Sequence, residues 1–183
     1  MPTRSPNWRH QLWLVLLVAG SVAFSLGFAC ATPFAAFGAV AALTLPRKEF
    51  LLLPGAVWLA NQAVGFGFLH YPWTANTLAW GVALGAATLL AALAARETVR
   101  RIKTGLIGAS IGAFVVAFAT YQVLIFIVAV AALGGADDFT ASIILRVFEI
   151  NAAGFVALML LSRVANRLGA GTGPVVPMAL RPA

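Results

Sequence analysis

Arg96-Glu97-Thr98-Val99-Arg100-Arg101-Ile102-Lys103 puts four basic residues into eight positions, between two long apolar runs at 75–95 and 105–133. Positive charge in a short connection marks the cytoplasmic side of a membrane protein. The octet therefore reads as an inner connection between two transmembrane spans. Working outward, further apolar segments cover 12–29, 33–45, 50–68 and 139–162. Arg4 and Arg9 precede the first segment, and Arg47 and Lys48 separate the second from the third. Arg163, Arg167 and Arg181 follow the last. Eleven of the 12 basic residues thus fall on one side, while the connections after the first, third and fifth segments carry none and one of them carries Asp137 and Asp138. The pattern predicts six transmembrane helices with N- and C-termini cytoplasmic, in a bacterial inner membrane. Only Arg146 lies inside a span.

Composition leaves little room for anything else. The chain has 183 residues, 62% hydrophobic and 9% charged, and six spans of about 20 residues consume ~120 of them. The expectation is one all-α, polytopic helical bundle over 1–168, with a Gly- and Pro-rich cytoplasmic tail, 169–183, that is disordered. A pI near 11.2 would suggest nucleic acid in a soluble protein. Here the charges are spread over span ends, where they meet anionic headgroups, so nucleic acid is not an expected partner. Cys30 is the single cysteine, which excludes an internal disulfide and a dithiol metal site. Arg4 and Arg9 ahead of an apolar run, with Ala29-Cys30-Ala31 after it, resemble a signal peptide. An uncleaved first helix preserves the charge asymmetry and is the preferred reading. No nucleophile–base pair, carboxylate dyad or phosphate loop is present, so the chain is not expected to be an enzyme or to hydrolyse nucleotide.

Pro33 interrupts the first apolar stretch, because the residue before a proline is pushed out of helical geometry. The segment after it, Phe34 to Leu45, reaches only about 18 Å at ~1.5 Å per residue, short of the ~30 Å hydrocarbon core. Such a piece is either partial or tilted, or is set against a protein-enclosed space. On the first segment Ala19, Ala23, Gly27 and Ala31 recur every fourth residue and share one face. Small residues so spaced let a second helix approach closely, whether within the same bundle or on a separate membrane partner.

The candidate site begins at Asn61-Gln62 and runs through Gly65-Phe66-Gly67-Phe68-Leu69-His70-Tyr71-Pro72-Trp73 to Asn76 and Trp80. Two adjacent amides in an apolar segment are costly unless paired. Interfacial belts explain some Tyr and Trp, but not their coincidence with Asn61, Gln62, His70, Asn76 and Thr77. Apolar walls with a few convergent polar groups are what a small-molecule pocket requires, and a capped turn with interfacial anchors is the alternative. His70 is also a competent metal ligand through a neutral imidazole nitrogen. One histidine does not make a protein metal site, but suffices as an axial ligand to a metal already held in a macrocycle. Arg146 and Glu149, three apart, can meet on one helical face, as a structural ion pair or as polar lining. Tyr121 and Gln122 can join that layer, and Asn151 points to the opposite face, where it is expected to bond a neighbouring helix.

Six spans in about 180 residues, a small-residue first helix and no ATPase motif resemble the vitamin-binding S-components of energy-coupling-factor transporters. Within that group, Asn61-Gln62-x-x-Gly65-Phe66-x-x-Leu69-His70-Tyr71-Pro72, with Thr77 and Trp80-Gly81, looks like the BtuM family of small cobalamin transporters. The likeness spans the chain in architecture but only about twenty residues in detail. It implies a bundle taking vitamin B12, a cobalt corrinoid, from the outer side as substrate, with no cofactor of its own. Family members can place a cysteine near the outer end of the third span as axial ligand to cobalt. This chain departs there, since the matching position carries His70. The likeness also implies that Ala19, Ala23 and Gly27 would meet an energy-coupling-factor ATPase and coupling module.

The expected function is therefore membrane uptake of cobalamin or a related corrinoid. Its contacts would be Asn61, Gln62, Phe66, Phe68, His70, Tyr71, Trp73, Asn76, Trp80, Tyr121 and Arg146, with His70 axial to the metal. The alternatives are a non-transporting subunit anchoring a larger complex, an S-component for a different vitamin, and a haem protein. The last is disfavoured because His10 and His70 lie on opposite faces of the membrane.

Overall fold

The computed structural model describes Val15, Val18, Gly20, 32–102 and 105–167. Ala19, Ala23, Gly27, Ala31, Cys30 and the 169–183 tail lie outside the described residues. Among the described residues five α-helices follow one another: α1 (Phe34–Thr44), α2 (Leu52–Gly67), α3 (Ala75–Arg101), α4 (Gly105–Val128) and α5 (Ala141–Arg167). A π-helical turn, Ala129–Leu133, extends α4, and a 3₁₀ turn, Ala136–Asp138, precedes α5. No strand occurs among the described residues.

α3, α4 with its π turn, and α5 are long and apolar enough to cross a membrane. That points to a membrane protein and accounts for three of the six expected spans. α1 has 11 residues and α2 has 16, about 16 and 24 Å of helix.

α1 is the centre of the bundle. Every one of its residues is buried, and it packs against α2, α3, α4 and α5. Its sequence, FAAFGAVAALT, is apolar on all sides, which is the signature of a helix enclosed by protein rather than lying on a surface. Small residues set the spacing: a Cβ on Gly38 would sit 3.3 Å from Ala92 of α3, and Ala91 and Ala95 nearby on α3 are fully buried. Pro33 leads into α1 and packs on Gly154 of α5, where an added Cβ would meet its ring at 3.0 Å.

α1 ends where Arg96 of α3 donates from Nη1 to the carbonyls of Ala42, at 2.6 Å, and Leu45, at 2.9 Å. These are among the last carbonyls, which a helix leaves without internal partners. Arg96 belongs to α3 because the basic octet is not the loop that its charge suggests. Helix continues to Arg101, with Glu97 paired to Arg100 at 3.0 Å and Arg101 at 2.7 Å. Arg and Glu are strong helix formers, and i,i+3 and i,i+4 ion pairs with cations in the last turn favour helix to its end. α4 then begins at Gly105.

Candidate functional site

At the end of the bundle opposite those cations, the described helices enclose a cavity of about 260 Å³. Thr77 and Arg96 on α3 mark the two ends; nineteen residues of helix separate them by roughly 28 Å. The start of α1 and the late turns of α2 form one wall, through Thr32, Phe34, Asn61 and Gln62. α3 supplies Thr77, Trp80, Gly81 and Leu84, α4 supplies Tyr121, Gln122 and Ile125, and α5 supplies Val147, Ile150 and Asn151. Tyr71 enters from the turn between α2 and α3.

The paired amides of α2 are held differently. Asn61 is buried and donates from Nδ2 to Thr32 Oγ1 at 2.9 Å, tying α2 to the residue that leads into α1. Gln62 Nε2 donates to Asn61 Oδ1 at 3.4 Å. Gln62 Oε1 lies over Gly81, where a Cβ would stand 2.6 Å away. Asn151 joins α5 to α1: its Oδ1 accepts the Ala36 N–H at 3.3 Å, while Nδ2 donates to the Val147 carbonyl at 2.9 Å. Phe34 and Tyr121 face each other across the floor at 6.0 Å between ring centres.

Gln122 stands apart. Its Oε1 is buried and accepts no hydrogen bond, and the residue lines the cavity. A buried acceptor without a donor costs about 1–3 kcal/mol. No charged side chain lines the cavity among the described residues.

The turn after α2 sets the cavity's rim. Tyr71 folds back over Gly65, where any Cβ would lie 2.5 Å from its ring, and its N–H donates to the Gly65 carbonyl at 3.1 Å. Phe66 stands edge-on to Tyr71 at 5.9 Å and packs on Trp73 at 4.6 Å. His70 makes this reversal possible by adopting φ 54°, a left-handed conformation that a side-chain-bearing residue rarely takes.

Of the contacts read from the sequence, Asn61, Gln62, Tyr71, Trp80 and Tyr121 come together around the cavity. Phe66, Phe68, His70, Trp73, Asn76 and Arg146 do not line it. Phe68, His70 and Trp73 are exposed on the turn. Asn76 is exposed and donates to the Leu133 carbonyl at 3.0 Å, which pins α3 to the π turn. Arg146 and Glu149 are both exposed on the face of α5 turned away from Asn151, and no ion pair joins them among the described residues. Arg146 lies about 8 Å along the helix from its start, within reach of the interface for a side chain that buries its stem and keeps its head in water.

Thr32 and the cavity-facing role of Asn151 were not legible in the sequence. Each acts through a partner far along the chain, 29 residues away for Thr32 and 115 for Asn151. No family model, curated protein or solved structure matches this chain.

Proposed function

We propose that this chain is a membrane-embedded solute-binding protein that takes up a small uncharged molecule from the outer side of the inner membrane, in the manner of an S-component. Gln122 Oε1 carries the proposal: a buried acceptor without a donor, facing a cavity, calls for a ligand that brings one. The remaining lining supports an uncharged solute with a flat ring. Phe34, Tyr71, Trp80 and Tyr121 supply aromatic surface, and Asn61, Gln62 and Asn151 supply amides. Burying a charge among such groups would leave it uncompensated. A dry cavity of about 150 Å³ holds benzene, so 260 Å³ scales to roughly ten non-hydrogen atoms. That is the size of a single-ring vitamin or nucleobase. No energy source lies in the described residues, so flux would come from a coupling module or from trapping inside the cell.

A corrinoid is the second reading, favoured by the exposed His70 next in sequence to the cavity-lining Tyr71. A corrin ring cannot fit within 260 Å³ and would have to lie across the rim, with His70 as its axial ligand.

Thermal unfolding of the detergent-purified protein tests both readings. The probes are nicotinamide, benzamide, uracil and cobalamin, each on wild type, Gln122→Leu and His70→Ala. Stabilisation by a single-ring amide or lactam that Gln122→Leu abolishes upholds the small-solute proposal. Stabilisation by cobalamin alone, lost in His70→Ala together with a shifted absorption band, would replace it with the corrinoid. Indifference to all four would sink both and bring the anchoring-subunit alternative forward.

A further inference from the structure

The cation-bearing end of the bundle holds a second groove, about 360 Å³, between the α1–α2 connection and the last turns of α3. Arg47, Arg96 and Arg100 line it with one acid, Glu97, so its walls carry a net charge of +2. Glu97 is already engaged by Arg100 and Arg101. Arg47 is exposed and forms no ion pair among the described residues.

Arg96 is held in place from two sides. Its Nη1 donates to the Ala42 and Leu45 carbonyls, and its guanidinium lies 5.3 Å over the Phe50 ring. Those hydrogen bonds meet the negative end of α1 and use one nitrogen, so the other N–H groups remain for a further acceptor. Phe50, Leu93 and Val99 form the apolar part of the same groove, and Leu93 is 44% exposed on the flank of α3. The groove thus joins guanidinium groups to an apolar strip that runs toward the bilayer interior.

We propose that this groove binds the phosphate headgroup of an anionic phospholipid, its acyl chain lying along Leu93. A forked guanidinium suits a phosphate oxyanion, and basic pockets between helices at the cytoplasmic side take such headgroups. Free phosphate shares the oxyanion but has nothing to place on Phe50 or Leu93. The site is separate from the cavity at the other end and does not depend on what that cavity binds.

Native mass spectrometry of protein equilibrated with mixed phosphatidylglycerol and phosphatidylcholine micelles reads retained lipid directly. The variants are Arg47→Gln/Arg100→Gln, which leaves Arg96 and its carbonyl contacts intact, and Arg163→Gln/Arg167→Gln, which removes equal charge outside the groove. The expected result is preferential retention of phosphatidylglycerol, weakened roughly 30-fold by the groove variant and little changed by the other. Equal retention of the two lipids, or equal loss in both variants, would overturn the proposal. So would displacement of the lipid by millimolar inorganic phosphate, which would make the groove a free-anion site.

Discussion

The Trp58 indole donates from Nε1 to the Gly81 carbonyl at 2.8 Å, while the same ring fills the space over Gly85, one turn further along α3, where a Cβ would stand 2.6 Å away. Gln62, one turn beyond Trp58 on α2, sits on Gly81 in the same way. Two residues four apart on α2 therefore nest into two glycines four apart on α3. This meshing sets the distance between the helices and hence the width of the cavity that Gln62, Trp80 and Gly81 help to line.

Gly85→Ala should destabilise the protein by about 1–3 kcal/mol, because an indole is too large and too firmly tethered to move aside. The double variant Gly85→Ala/Trp58→Leu should lose less than the sum of the single changes. The measurement is a double-mutant cycle by detergent-phase unfolding. Strict additivity would show that ring and glycine are not coupled.

Gln122→Leu should raise the melting temperature of the ligand-free protein, corresponding to about 1 kcal/mol, since it removes a buried acceptor that nothing satisfies. The same change should weaken binding of a stabilising single-ring probe about tenfold. A variant less stable than wild type without ligand would mean that Oε1 has a partner in the membrane.

Arg96→Met keeps much of the side chain's bulk but leaves the Ala42 and Leu45 carbonyls without their donor. Hydrogen bonds from charged groups contribute about 1.5–3 kcal/mol, and a loss in that range is expected on heating. Probe affinity at the distant cavity should hold within twofold. An unchanged melting temperature would show that water replaces the guanidinium at the end of α1.

His70→Gly should stabilise the turn by about 1 kcal/mol, because glycine takes a positive φ without steric cost. Binding of a single-ring probe should persist in this variant, and any corrinoid-dependent band should vanish. Loss of the small probe as well would place the imidazole inside the recognition site.

The apolar runs at 75–95, 105–133 and 139–162 locate the starts of the three long helices to within two residues and their ends to within six. Length and hydrophobicity are local properties and can be counted. Continuation of α3 through Arg96 to Arg101 was hidden because a basic run signals topology and helix end equally well. Part of the cavity was visible in the sequence: Asn61, Gln62, Tyr71 and Trp80 come from one stretch, and Tyr121 from the polar layer read on α4. Thr32 was not visible, and Asn151 was legible only as a bond to a neighbouring helix, since its place at the cavity needs α1 packed between α2 and α5. Arg146 and Glu149 show the limit of spacing: three apart permits an ion pair, but none forms between them among the described residues, and both side chains are exposed.

The burial of α1 bears on how the protein is made. It emerges from the ribosome before α2, α3, α4 and α5, the helices packed against it among the described residues. At 11 residues it covers only about half the hydrocarbon thickness. A nascent chain cut after α3 would lack α4 and α5, leaving Pro33 without Gly154 and Phe34 without Tyr121. Assembly of the centre thus waits for synthesis of the last helix, and until then an apolar helix too short to span the hydrocarbon core lacks part of its protein surroundings.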